Sequence, residues 1–183
     1  MEIDNKNPDF KLLATASTYI KKDFEDEYNR WADSPFEWVL NLPAGSKGKL
    51  GKLLVYQWCG LKGLSLDRSL DSEADMLING HRVEIKFSTL WKSGIYKFQQ
   101  IRDQNYEYAV CLGISPFDAH CWVFSKNILK KHVIGHLGQH TGVTGKDTSW
   151  ISIDPQKPPE WVNTCGGTLE EAFKVLKTLS NRK

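Results

Sequence analysis

The chain has 183 residues, 40% hydrophobic and 25% charged, which suits one globular domain and excludes the low-hydrophobicity composition of disorder. No apolar run reaches the ~18 residues that span a bilayer, and the opening MEIDNKNPDF lacks a basic stretch followed by an apolar one, so neither a membrane protein nor a secreted one is expected. Formal net charge is +2, yet residues 1–45 carry 5 basic and 9 acidic groups against 19 and 13 beyond them, so the later part attracts polyanions mildly and permits nucleic acid without demanding it.

From Asp9 to about Trp31, Phe10, Leu13, Ala14, Ser17, Ile20, Phe24 and Tyr28 recur at steps of three and four, the stripe of an amphipathic helix. Ser34-Pro35-Phe36-Glu37 reads as a cap, a first-position proline and a third-position glutamate, opening a short helix to about Leu42. Ser46 caps a further helix from Lys47 to about Cys59, with Leu50, Leu53, Leu54 and Trp58 on one face and Lys47, Lys49 and Lys52 crowding its start. The period then changes. Ala74 to Ile78 and His81 to Phe87 alternate as strands around Asn79-Gly80, the strongest short hairpin signal. Tyr96 to Asn105 is expected to be helical, Tyr108 to Ile114 a buried strand and His120 to Phe124 another, joined by Ser115-Pro116-Phe117-Asp118. Asn127 to about His140 is expected as a helix, and Thr141 to Pro159 as loop with a strand at Ser149 to Ile153. Thr168-Leu169-Glu170-Glu171 is a capping box for a last helix to about Leu179. The order is mixed α/β. One domain is expected over 1–183: a helical N-terminal part at 1–45, a core at 46–125, and a C-terminal loop and helix region at 126–183.

A two-residue turn at Asn79-Gly80 sets Ile78 opposite His81, Leu77 opposite Arg82, Met76 opposite Val83 and Asp75 opposite Glu84. Strand alternation then puts Met76, Ile78, Val83, Ile85 and Phe87 on an apolar face and Asp75, Glu84 and Lys86 on the other. Carboxylates directly across a ladder, with Cβ atoms ~5 Å apart, repel unless something positive lies between them. Mg²⁺ fits: it takes oxygen ligands at ~2.1 Å and keeps several waters, so Asp75, Glu84 and the carbonyl of Ile85 suffice as the protein's share. Lys86 then points at the attacking water or the phosphate. The plainer reading is a solvated face with an ordinary Glu–Lys pair.

On these residues the chain resembles the PD-(D/E)xK nuclease superfamily: Asp75 matches the motif's aspartate and Glu84-Ile85-Lys86 its (D/E)xK, with the superfamily's helix and strand at Tyr96 to Ile114. The resemblance covers about residues 46–125. It implies a restriction-endonuclease-like core, a central mixed β-sheet flanked by helices, with the N-terminal helices added to it. It also implies Mg²⁺-dependent hydrolysis of DNA phosphodiesters (Mn²⁺ substituting), with Asp75 and Glu84 as ligands and Lys86 positioning or activating water. Ala74 stands where the namesake proline would be. The helix before the hairpin has no acidic residue, leaving Glu37 or Glu73 as substitutes for the relatives' helical glutamate. Gln99 and Gln100 are accessory candidates, and Gln104 to Tyr108 has the QxxxY spacing of RecB-like nucleases. The expected activity is cleavage of double-stranded DNA at a specific sequence by a type II-like restriction enzyme acting as a homodimer. A junction-resolvase-like repair nuclease and a non-catalytic DNA-binding module stay open.

Other groupings are less defined. Trp91, Lys92, Tyr96 and Lys97 mix aromatics with cations as nucleic-acid surfaces do, and Lys47, Lys49 and Lys146 are further DNA-contact candidates; the first group also reads as a polar loop with its aromatics folded inward and the others as plain solvated surface. His132, His136 and His140 would share a helical face, with a partly exposed cluster preferred. The four cysteines stand singly, the usage of a reduced, intracellular protein, and Cys111 and Cys121 read as small core residues.

Overall fold

The computed structural model describes residues 8–136, 138–139 and 148–179, and the backbone alone at 23, 24, 27, 28, 138 and 139. Its helices are α1 (Pro8–Trp31), α2 (Ala44–Leu61), α3 (Lys126–His132) and α4 (Leu169–Thr178). The strands are β1 (Leu66–Arg68), β2 (Met76–Ile78), β3 (His81–Thr89), β4 (Tyr96–Ile101), β5 (Tyr108–Ile114), β6 (Ala119–Ser125), β7 (Gly138–Gln139), β8 (Thr148–Ile153) and β9 (Gly166–Thr168). Six strands form a mixed sheet in the order β1-β2-β3-β5-β6-β9, parallel where β3 meets β5 and antiparallel elsewhere. A second sheet runs β4-β8-β7.

The chain is layered around the six-stranded sheet, because each strand sends alternate side chains to opposite faces. Val83, Ile85, Val110, Leu112, Cys121 and Val123 pack on one face against Val55 and Cys59 of α2 and Ala172 and Leu176 of α4. Ala109, Cys111, Trp122 and Phe124 pack on the other against Tyr96, Phe98, Ile151 and Ile153 of the second sheet and Leu129 of α3. Burial raises the Cys111 and Cys121 thiols well above their ordinary value, as small core residues require.

The hairpin has the expected register, Met76 on Val83, Leu77 on Arg82 and Ile78 on His81. Asn79 (φ 52°) and Gly80 (φ 79°) both take the left-handed conformation of a type I′ turn. The side chain of Asn79 is fixed further: its amide nitrogen donates to the carbonyls of Leu176 (3.4 Å) and Leu179 (3.3 Å), and its oxygen accepts from the Ser65 N–H (3.1 Å). The capping box of α4 is complete, with Thr168 Oγ1 accepting from the Glu171 N–H and the Glu171 carboxylate accepting from the Thr168 N–H.

Tyr96 to Asn105 is not the expected helix. Its first six residues are β4, antiparallel to β8, with the register shifting between Phe98 and Ile101 and Gln100 at φ 57°. That bulge is the physical reason for the difference: it returns Ile101 to the buried side three residues after Phe98, a spacing that imitates a helical stripe. The crossover between parallel β3 and β5 is therefore made by a strand of another sheet instead of a helix. It lies close to the main sheet, since a Cβ on Gly113 would come within 2.6 Å of the Tyr96 ring.

Other elements also depart from expectation. The short helix after Ser34 is a 3₁₀ turn, Glu37–Asn41, with Ser34 Oγ accepting from the Phe36 N–H and donating to the Pro116 carbonyl. α2 starts at Ala44, ahead of Ser46, because the Pro43 carbonyl already accepts from the N–H groups of Ser46 and Lys47. Its buried line is Gly51, Val55 and Cys59, while Leu53 is exposed. α3 ends at His132, short of His140, where Val133 leaves helical geometry and Gly135 takes φ 81°. Within the stripe of α1, Leu13 is 71% and Ile20 54% exposed, whereas Trp31 at the helix end is fully buried. No helix among the described residues is long and apolar enough to cross a membrane.

Candidate active site

β3 carries the centre of the site. Glu84 and Lys86 leave it on the face that holds the second sheet, and β4 and β8 cover that face only in part, so both residues line a cavity of about 660 Å³. Their side chains are 13% and 15% exposed, and Glu84 Oε1 lies 2.7 Å from Lys86 Nζ. Burial pushes the Glu84 carboxyl above the ordinary carboxylate range and the nearby Asp75 charge adds to this, against the pull of the Lys86 and Lys52 ammonium groups.

Asp75 reaches the same place from just outside β2. The regular ladder stops at Met76, and the Asp75 N–H donates to the Val83 carbonyl at 2.8 Å. Asp75 is thus no longer a paired partner of Glu84 as the turn arithmetic expects, yet it still lines the cavity with it. Its Oδ2 accepts the Ile85 N–H at 2.7 Å. A strand residue's N–H and C=O point the same way, so the Ile85 carbonyl also leaves β3 on the Asp75 side. Asp75, Glu84 and Ile85 line one cavity, and two carboxylates with a backbone carbonyl are hard oxygen donors of the kind Mg²⁺ takes. No group of three or more His, Cys, Asp or Glu side chains gathers among the described residues.

Asp75 has a second partner, Lys52, whose Nζ pairs with Oδ1. The close approach of α2 to β3 makes this contact: Gly51 is buried, and a Cβ there would fall 2.3 Å from Phe87 Cβ. Lys47, Lys97 and Arg102 also line it, so among the described residues five cations share the cavity with two carboxylates. Trp91, Gln99, Gln100 and Gln104 also line the cavity, with Lys97 Nζ 3.9 Å from the centre of the Trp91 ring. The loop bearing Arg102 and Gln104 is anchored, since Lys126 bonds the Gln104 carbonyl (2.6 Å), pairs with Asp103 (2.8 Å) and lies over the Tyr106 ring (3.8 Å).

The remaining candidates lie elsewhere. Glu73 and Glu37 do not line the cavity: Glu73 Oε2 accepts the Asn105 N–H at 2.9 Å, and Glu37 is exposed in the 3₁₀ turn. Gln99 and Gln100 reach it from a bulged strand, so they are not helical glutamines. Lys49 and Lys92 are exposed away from the cavity. His132 stacks on Trp161 with ring centres 4.9 Å apart, and the helix that would align it with His136 has ended. Lys146 and His140 lie outside the described residues. Arg102 has no role in the sequence reading, and Lys52 enters it only as one of three lysines at the helix start that either hold a phosphate or face solvent; its pairing with Asp75 comes from the close approach of α2 to β3.

No family model matches the chain, and no curated protein matches it. Among solved structures the chain is similar to a bacterial homing endonuclease, I-Ssp6803I, with 17% identity over 73% of this chain and 91% of that one and a TM-score of 0.48.

Proposed function

We propose that the chain is a Mg²⁺-dependent endonuclease that cuts double-stranded DNA at a specific sequence, in the manner of a restriction enzyme. The observation that supports this is one arrangement: Asp75, Glu84 and Lys86 share a cavity in which, among the described residues, every other charged side chain is a cation. A metal-free structural ion pair has no use for that surplus of positive charge, whereas a phosphodiester does.

Asp75, Glu84 and the Ile85 carbonyl would hold the ion. Mg²⁺, when bound, supplies positive charge toward the phosphate and acidifies a water at the site, and Mn²⁺ accepts the same oxygen ligands. The chain's own groups do the rest. Lys47, Lys97 and Arg102 draw in and hold the sugar–phosphate backbone. Lys86, kept in place by Glu84, donates to the attacking water and stabilises the charge that grows on the phosphate. The described residues hold one such centre, so cutting both strands of a symmetric sequence is most simply done by a homodimer with a two-fold axis.

Incubating the protein with a long duplex and Mg²⁺ tests the reading. Discrete fragments support sequence-specific cleavage, and cutting confined to branched substrates replaces it with a structure-selective nuclease. Failure to cut any DNA, together with no calorimetric binding of Mg²⁺ or Mn²⁺, leaves a non-catalytic DNA-binding module.

A further inference from the structure

The two lysines that neutralise the carboxylates are built differently. Lys86 stands on the same strand as Glu84, two residues away, and both side chains are mostly buried. Lys52 comes from another element, the third turn of α2, and its side chain is 49% exposed while that of Asp75 is 10% exposed. Asp75 is fixed by its second bond to the Ile85 N–H. If this pair separates, the lysine is the part that moves.

We propose that Lys52 is the resident counter-cation of Asp75, displaced when a divalent cation binds there and then taken up by the DNA phosphate. This rests on the nuclease reading above. An ammonium and a dication on one carboxylate repel at a few ångströms, strongly so away from bulk water. Lys52 has a flexible four-carbon stem and lines the same cavity as Lys47 and Lys97, so its freed ammonium stays within reach of a phosphate. Two consequences follow from the exchange. Without DNA, the metal must break an ion pair to bind and so binds less tightly. With DNA, the displaced lysine gains a new partner, so metal and DNA each favour the other by the same factor. Lys52 is in this sense a positioning residue: it acts on the metal through Asp75.

Calorimetric titration with Mg²⁺ and with Ca²⁺, with and without a short duplex, tests the exchange in the parent and in Lys52→Met, Lys52→Gln and Lys52→Arg. Without DNA, Lys52→Met and Lys52→Gln should bind the ion about fivefold more tightly than the parent, the strength of a half-exposed ion pair. Lys52→Arg should keep the parent's weaker affinity. In the presence of duplex the parent's metal affinity should rise, and that gain should be lost in the neutral variants. Unchanged or weaker metal binding in both neutral variants, with circular dichroism and melting like the parent's, overturns the proposal. Metal binding that Asp75→Ala abolishes but the Lys52 variants leave unaltered removes only the role of Lys52. Absence of metal binding in the parent and every variant removes the nuclease reading and this inference with it.

Discussion

Successive residues of β3 meet opposite surroundings. Val83 and Ile85 are 0% and 4% exposed in the layer under α2 and α4, while Glu84 and Lys86 between and beyond them face the cavity. The same nine residues supply an anchor on one side and the proposed chemistry on the other, and the burial of Val83 and Ile85 offsets the desolvation that raises the Glu84 carboxyl. A slip of one residue would exchange the two sets. The left-handed turn at Asn79 and Gly80 prevents it.

Substitutions on the two faces should therefore separate activity from stability. The largest effect belongs to the cavity side: Asp75→Ala, Glu84→Gln or Lys86→Met should lower the rate of nicking of supercoiled DNA in Mg²⁺ by on the order of 10²–10³-fold or more, with circular dichroism unchanged. A parent-like rate for Asp75→Ala would refute the assignment. On the apolar side, Ile78→Ala removes a fully buried side chain of β2 and should cost about 2–5 kcal/mol in denaturant unfolding, with cleavage per folded molecule retained. Gly51→Ala links the two sides, because the added methyl meets Phe87. It should destabilise by roughly 1–3 kcal/mol and, by moving α2, loosen Lys52 from Asp75, which metal titration would register. At the far end of the helix that covers the apolar face, Thr168→Ala removes the cap of α4 and should cost about 1 kcal/mol, with cleavage per folded molecule retained.

The smallest effect is a pH dependence. Because the Glu84 carboxyl is raised in the folded protein, the folded state holds that proton more tightly than the unfolded chain. The resulting stability is fully present below the unfolded value and is lost as pH rises through the raised folded value. Metal-free protein melted from about pH 4 to pH 8 should show this decline, and Glu84→Gln should remove it.

The hairpin was legible from sequence because its determinants are local: an Asn-Gly turn and strict alternation leave one register. β5 was legible because an unbroken apolar run bounded by turn residues has few alternatives. Tyr96 to Asn105 was not, since its strand is defined by β8, some fifty residues away, and a bulge disguises its period. β1 and β9 are three residues each and owe their pairing to neighbours already in place. Of the candidate site, Glu84 and Lys86 follow from the turn and its alternation, Asp75 does so only in part because the ladder stops at Met76, and Lys52 and Arg102 arrive from separate elements and become neighbours only through tertiary packing.

The Asn79 side chain joins the turn of the hairpin to the last carbonyls of α4, almost a hundred residues along the chain. That amide is buried, so α4 cannot peel away without leaving it unsatisfied, and the turn cannot open without releasing the end of α4. The hairpin and the terminal helix should thus exchange their amide hydrogens as one cooperative unit, and loosening far from β3 would be felt at the carboxylates.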